Sequence, residues 1–174
     1  MTVQSRFDIA KHLSGYGIEI GVFRGVYSEH LLSYSYLTVL YSVDPWLSFP
    51  TPETAESFYL EAQQRLAKFR ERSQIIRTTA LDAASYFQDN FFDFVYIDSS
   101  HTYEDTQAEL IAYWPKMKPN GLFCGHDYAN CEGVKKAVDE FALLHGLQVE
   151  TTVRDEDTDW TGYLVNSWMI RVPS

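Results

Sequence analysis

Short apolar runs alternate with amphipathic stretches along most of the chain. The apolar runs predict buried strands, because glycine, proline or polar residues bound each of them; they cover residues 17–21, 38–43, 73–77, 92–97 and 122–125. Between them, apolar residues at helical spacing predict helices over residues 25–36, 52–72, 81–88, 103–114 and 132–144. Two final strands, 147–153 and 163–172, follow each other without a helix. The pattern predicts an α/β fold: a Rossmann-like, doubly wound, mostly parallel seven-stranded sheet with an antiparallel last strand.

The composition is that of one globular domain. The chain has 174 residues, 45% of them hydrophobic, and no linker, so we expect a single domain over residues 1–174. A net charge of −10, with basic residues clustered only at 68–72, makes nucleic acid and anionic membranes poor partners. The N-terminus has no signal-peptide pattern and no apolar run could span a membrane, so we expect a cytoplasmic protein. We expect Cys124 and Cys131 to be reduced thiols.

A glycine turn follows the first predicted strand. Gly21 and Gly25 make a G-x-x-x-G spacing there, which lacks the middle glycine of the dinucleotide fingerprint G-x-G-x-x-G. Glu19 stands two positions before the turn and is a poor neighbour for a phosphate, but it suits a ligand that carries an ammonium group. These residues therefore disfavour a nicotinamide-dependent oxidoreductase.

An acidic residue also ends the second predicted strand. Asp44 stands before Pro45, where a carboxylate can accept hydrogen bonds from both hydroxyls of a ribose; the alternative is an aspartate that only caps a turn. With Glu19 and the two glycines, it describes a site for a ribose-bearing ligand without a diphosphate. S-adenosylmethionine is the common cofactor of that shape.

Polar residues follow the fourth and fifth predicted strands. They are Asp98, His101, His126 and Asp127. Neighbouring parallel strands lie about 4.8 Å apart, so these side chains can converge on one small volume. Asp98, His126 and Asp127 could hold a divalent metal such as Mg²⁺ or Mn²⁺, or the last two could only shape a loop. His101 could act as a general base, or it could cap the helix that follows.

Together these motifs resemble the class I S-adenosylmethionine-dependent methyltransferases. The resemblance is greatest to the small-molecule O-methyltransferase branch that includes the macrocin O-methyltransferase-like and cephalosporin hydroxylase-like proteins. The residues that carry it are 19–25, 42–44, 94–104, 125–128 and 133–138. Related metal-dependent O-methyltransferases carry acids or amides at the fourth and fifth strand ends, and His126 departs from that pattern.

The resemblance implies a role for each part of the site. It implies that the glycine turn faces the methionine end of the cofactor; the turn residues concerned are Glu19, Gly21, Phe23, Arg24 and Gly25. It places Asp44 at the ribose and the segment Thr79, Ala80, Leu81 and Asp82 near the adenine. It places Asp98 where the methyl group meets its acceptor, and it supports His101 as the base.

We therefore expect methyl transfer from S-adenosylmethionine to a hydroxyl of a small metabolite such as a sugar or natural product, with a divalent metal orienting the acceptor. The alternative is a cofactor-binding module or partner-dependent subunit without activity of its own. At this length the acceptor pocket is either open or completed by a second copy of the chain, as in a homo-oligomer. Four aromatic residues could roof the pocket: Trp46, Phe49, Tyr59 and Tyr128. The acidic stretch 155–159 is expected to be a solvated turn.

Overall fold

The computed structural model describes residues 3–47, 51–155 and 165–174. Within these ranges the chain forms one mixed sheet of seven strands, in the order β3-β2-β1-β4-β5-β7-β6. The strands are β1 Ser14–Ile20, β2 Tyr36–Val43, β3 Ser73–Ile76, β4 Phe92–Ile97, β5 Met117–Gly125, β6 Glu150–Thr151 and β7 Trp168–Arg171. The first five are parallel to one another, and β7 runs antiparallel to both β5 and β6. The predicted fold class is confirmed.

The described residues form six α-helices, and the second to the fifth of them connect the parallel strands. They are α1 Arg6–Ile9, α2 Val26–Tyr34, α3 Pro52–Leu66, α4 Ala80–Ala84, α5 Tyr103–Tyr113 and α6 Glu132–His145. Thr51 caps α3 and Pro52 is its first residue, because the missing amide of proline costs nothing there. None of the described helices combines the length and apolar character that crossing a bilayer requires.

Several predicted boundaries were wrong. β5 begins at Met117 rather than at residue 122, because a bulge inserts extra residues between the pairs Phe92–Met117 and Phe94–Leu122. β6 is short because the amide of Ser167 donates to the side-chain hydroxyl of Thr152 just beyond the strand, and pairing resumes only as an isolated bridge between Asp155 and Val165. α3 ends at Leu66, where a 3₁₀ turn takes over. Of the last predicted strand, residues 163–164 lie outside the described ranges.

Alternate residues of β4 face two separate cores. Val95 and Ile97 pack in the core beneath α4, α5 and α6, whereas Phe94 and Tyr96 pack in the core beneath α1 and α2. This period of two is what the pleat of a strand dictates. Both faces are covered, so the carboxyl edge of the sheet is where a ligand can approach the strand ends.

The chain reverses its winding direction between β1 and β4. From β1 the chain moves outward to β2 and β3, and from β4 it moves outward on the other side to β5. Ile20 and Ile97 are paired at the ends of these two strands. In open α/β sheets, ligands bind in the crevice at such a switch point.

Candidate functional site

The carboxyl edge of the sheet gathers most of the predicted site residues. Glu19 is the penultimate residue of β1, Asp44 follows β2, Asp98 follows β4, and His126 and Asp127 follow β5. The predicted adjacency of the fourth and fifth strands is confirmed, with Ile97 opposite Gly125. The site therefore lies across the switch point.

Backbone geometry explains the glycine turn. Gly21 has φ +89°, and a Cβ there would lie 1.9 Å from the carbonyl oxygen of Asp98. Gly25 has φ +75° and caps the N-terminus of α2. Only glycine adopts these angles readily, and only glycine lets the turn approach the end of β4 this closely.

Gly21→Ala is expected to lower the free energy of unfolding by at least about 3 kcal/mol, because it adds a backbone clash to a strained angle. Gly146→Ala is the matched control: Gly146 has φ +65°, but a Cβ added there would have nothing within 4 Å of it, so about 1 kcal/mol is expected. Urea denaturation measures both. Equal losses would show that the approach to Asp98 does not constrain position 21.

Asp44 holds the glycine turn from the neighbouring strand. Its Oδ2 accepts hydrogen bonds from the amides of Val22 at 3.0 Å and Phe23 at 2.9 Å, and its Oδ1 accepts one from the amide of Trp46 at 2.8 Å. Two amides of the turn are thus bonded to a carboxylate. An anionic phosphate would meet that negative charge, which agrees with a ligand that has no diphosphate.

Glu19 is buried beneath the turn. It is 1% exposed, and the hydroxyl of Ser28 donates a hydrogen bond to its Oε2. The Ser28 and Ser42 hydroxyls lie 3.0 Å apart. Burial raises the pKa of Glu19 to about 8, against the opposing hydrogen bond from Ser28. A cation that approaches Glu19 would favour its ionised form.

The other predicted cofactor residues lie along the same edge. Phe23 is 44% exposed at the turn, whereas Arg24 turns away and pairs with Glu61 of α3, at 2.7 Å. Thr79 caps α4, accepting a hydrogen bond from the amide of Asp82. Ala80 and Leu81 open that helix, and Leu81 is half exposed. The ribose and adenine contacts stay predictions.

The three predicted metal ligands converge. Nδ1 of His126 lies 3.7 Å from Oδ1 of Asp98 and 3.3 Å from Oδ2 of Asp127. One ligand atom from each of the three residues lies within 4.8 Å of the others. A cavity of about 10 Å³ adjoins them, the space of a single water molecule or ion. The spacing and the donor set fit a divalent cation.

His101 pairs with Asp127 rather than capping a helix. Its Nε2 lies 3.0 Å from Oδ2 of Asp127, and the residue that caps α5 is Thr102. The hydrogen bond to Asp127 raises the pKa of His101. Although burial opposes it, the hydrogen bonds from His101 and His126 hold the pKa of Asp127 well below its usual range. The pair therefore has the form of a histidine base oriented by a carboxylate.

Sequence reasoning missed three charged residues around this site. Asp155 was expected in a solvated turn, but its side chain is fully buried, and its Oδ2 lies 3.4 Å from Nε2 of His126; residues 156–159 lie outside the described ranges. Arg6 pairs with Asp98 at 3.1 Å. Glu109 of α5 is buried and accepts hydrogen bonds from Ser99, the residue after Asp98.

Two buried carboxyl groups make stability depend on pH. Burial raises the pKa of Glu109 to about 7 and that of Glu19 to about 8, from ordinary values of 4.5. Above pH 4.5 the folded protein therefore retains protons that the unfolded chain releases, so stability is lost as pH rises through the two folded-state pKa values. We expect the free energy of unfolding to fall by about 6 kcal/mol between pH 5 and pH 8.

The variant Glu109→Gln is expected to remove about half of that dependence, because an amide stays neutral at both pH values. Glu104→Gln, at an exposed position on the same helix, is the control and should leave the slope unchanged. Urea denaturation at several pH values between 5 and 8 measures how the free energy of unfolding depends on pH. A wild-type stability that rises between pH 5 and pH 8 would contradict this assignment.

The aromatic residues expected over the pocket have other partners. Trp46 is 4% exposed, and its Nε1 donates to the carbonyl of Phe23 at 2.7 Å, so it braces the turn from within. Tyr59 packs against Trp46, and Tyr128 donates to Asp139 of α6. Trp46 is therefore not a lid. Phe49 lies outside the described ranges.

Comparisons with known proteins were made with both sequence and structure. Residues 18–128 match a family model described as a methyltransferase domain. No curated protein sequence matches the chain.

Similar solved structures include three methyltransferases. One is an rRNA methylase from Streptococcus thermophilus, with TM-score 0.68, 11% identity, and coverage of 97% of this chain and 94% of that one. Another is the precorrin-6y C5,15-methyltransferase from Geobacter metallireducens, with TM-score 0.68, 16% identity, and coverage of 95% and 84%. The third is an O-methyltransferase from Bacillus cereus in complex with S-adenosylhomocysteine, with TM-score 0.63, 14% identity, and coverage of 90% and 73%.

Proposed function

The chain belongs to the class I S-adenosylmethionine-dependent methyltransferase family, and we propose that it transfers the methyl group of S-adenosylmethionine to a hydroxyl of a small metabolite. The observation that carries the proposal is the His101–Asp127 pair beside Asp98, at the edge where the glycine turn lies. A hydroxyl acceptor must lose its proton as the methyl group arrives, and this pair offers a base for it. Sugars and other polyol-like natural products are the acceptors that we favour.

We assign the cofactor-binding site to the glycine turn and the end of β2. Its residues fit S-adenosylmethionine, because Oδ1 of Asp44 can accept from a ribose hydroxyl while Oδ2 holds the turn. Glu19 provides a buried acid under the turn for the cationic methionine end. The bound cofactor supplies an electrophilic methyl group on a sulfonium sulfur. Much of the rate enhancement then comes from alignment of the reacting atoms.

His101 is assigned the role of general base. With Nε2 held by Asp127, Nδ1 is the atom that would receive the proton of the acceptor hydroxyl. Asp127 stabilises the imidazolium that results, which is why its contact raises the pKa of His101. The side chain of His101 is 52% exposed, so an acceptor can approach it from solvent.

A divalent cation is the second element of the proposal. Asp98, His126 and Asp127 would hold it, and it would supply Lewis-acid activation of the acceptor oxygen. Asp127 has two roles here, since the oxygen that contacts His126 also contacts His101. Ligands with both oxygen and imidazole donors favour Mn²⁺ over Mg²⁺ at such a site.

Calorimetry and product analysis test the proposal together. We expect the protein to bind S-adenosylmethionine and S-adenosylhomocysteine but not NAD. We expect it to form methyl ethers from hydroxyl acceptors in a panel that also contains amines and structured RNA. Addition of Mn²⁺ or Mg²⁺ after chelation tests the metal by the same readout.

Each outcome has a distinct meaning. Failure to bind either adenosyl ligand would contradict the cofactor assignment. Binding without turnover on any acceptor would favour a cofactor-binding module that depends on a partner. Methylation of amines or RNA in place of hydroxyls would overturn the acceptor class, and full activity after chelation would remove the metal from the mechanism.

A further inference from the structure

Arg6 is a buried cation at the edge where the cofactor is proposed to bind. Its Nη1 lies 3.1 Å from Oδ2 of Asp98, and its side chain is 11% exposed. Its guanidinium stacks 4.8 Å from the ring centre of Tyr27, in the first turn of α2. Burial of an arginine is costly unless acids and aromatic faces surround it, and this site offers both.

Four contacts determine where the backbone of Arg6 lies. Its amide donates to Oδ1 of the buried Asp155, and its carbonyl accepts from the hydroxyl of Tyr27 at 3.0 Å. Just before it, the carbonyls of Val3 and Gln4 accept from the amides of Val153 and Arg154. The segment 3–6 is therefore fastened to the far end of the chain. These contacts hold Arg6 in one arrangement at the site, which lowers the conformational entropy cost of binding a ligand there.

The charges around Arg6 indicate what it could recognise. Glu19 and Asp98 lie on either side of the switch point, and the charge of Arg6 lowers the pKa of Glu19 against the effect of burial. The methionine end of S-adenosylmethionine carries an ammonium and a carboxylate. The two acids suit the ammonium and repel the carboxylate, so the carboxylate requires a cation beside them.

We propose that Arg6 binds the α-carboxylate of the methionine moiety and selects adenosyl ligands that carry an amino acid. A guanidinium presents paired donors that match the two oxygens of a carboxylate. This inference rests on the proposed function, since it presumes that S-adenosylmethionine is the cofactor. It makes the N-terminal segment part of the cofactor site.

Ligands with and without the carboxylate provide the test. S-adenosylhomocysteine carries it, and 5′-methylthioadenosine has the same nucleoside without it. In calorimetry, Arg6→Gln is expected to weaken binding of S-adenosylhomocysteine by about 10- to 100-fold and to change binding of 5′-methylthioadenosine less than about twofold. Arg6→Lys, which keeps the charge and loses the paired donors, should fall between Arg6→Gln and wild type.

Arg72→Gln is the matched control, because Arg72 is a partly buried arginine that donates to the carbonyl of Leu37 near the opposite edge of the sheet. It should bind both ligands like the wild type. Retained binding of 5′-methylthioadenosine by Arg6→Gln also shows that the variant pocket is folded.

Three results would overturn the inference. If the wild type binds S-adenosylhomocysteine and Arg6→Gln binds it equally well, Arg6 does not contact the carboxylate. If Arg6→Gln weakens both ligands alike, Arg6 only supports the fold of the site. If the wild type binds neither ligand, the proposed function fails and this inference fails with it.

Discussion

His101→Gln is expected to lower kcat by about 10²- to 10⁴-fold and to leave the affinity for S-adenosylmethionine unchanged. Glutamine can keep a hydrogen bond to Asp127 from a similar position, but it cannot accept the proton of an acceptor hydroxyl. His101 is held by a contact of 3.0 Å to Asp127, and neither residue belongs to the proposed cofactor site. Steady-state kinetics with a working acceptor and calorimetry with S-adenosylhomocysteine separate the two quantities.

His12→Gln is the control for this variant, since His12 is an exposed histidine near the N-terminus. Its kcat should equal that of the wild type. A His101→Gln enzyme with wild-type kcat would show that His101 is not the base. A loss of cofactor affinity equal to the loss of kcat would show that His101 acts through binding.

Asp44→Ala is expected to weaken binding of S-adenosylmethionine by at least about 100-fold. The substitution removes the acceptor of three backbone amides, each a charge-assisted hydrogen bond worth about 1.5–3 kcal/mol, and with it the proposed ribose contact. The glycine turn would lose the hydrogen bonds that hold its conformation at the same time. Calorimetry measures the affinity, and urea denaturation measures the accompanying loss of stability.

Asp93→Ala separates those two effects. Asp93 also accepts from a backbone amide, that of Tyr16 at 2.8 Å, but it lies at the start of β4, on the opposite edge of the sheet. We expect Asp93→Ala to lose stability and to keep cofactor affinity. Wild-type affinity in Asp44→Ala would exclude Asp44 from the cofactor site.

Local sequence patterns predicted the fold class and the strands of the parallel sheet. The strands of the parallel sheet were found because buried strands are short apolar runs bounded by breakers, and the G-x-x-x-G spacing marked the turn after β1. Boundaries failed where long-range pairing decides them, as at the bulge in β5 and at the short β6. These depend on which strand lies beside which, and no local window contains that information.

The candidate site also combines features that the local sequence predicts with features that depend on tertiary packing. The sequence predicted that Asp98, His126 and Asp127 lie close together, since adjacent parallel strands end at one edge of the sheet. That His101 would pair with Asp127, and not cap α5, depended on how the loop after β4 packs against the loop after β5. The burial of Trp46 beneath the turn likewise depended on how α3 packs against Val22, which lies far from it in the sequence.

The sequence by itself determined the order of elements, the fold class and the acids, glycines and histidines at the strand ends, because periodicity and turn chemistry act over a few residues. Only the tertiary structure decided the charge environment of those residues. Arg6 reaches Asp98 across 92 positions and Asp155 across 149, and Asp155 also approaches His126. Such contacts exist only after the two ends of the chain have packed against the same sheet edge. Burial at that edge is what raises the pKa of Glu19 and gives Arg6 an acid partner.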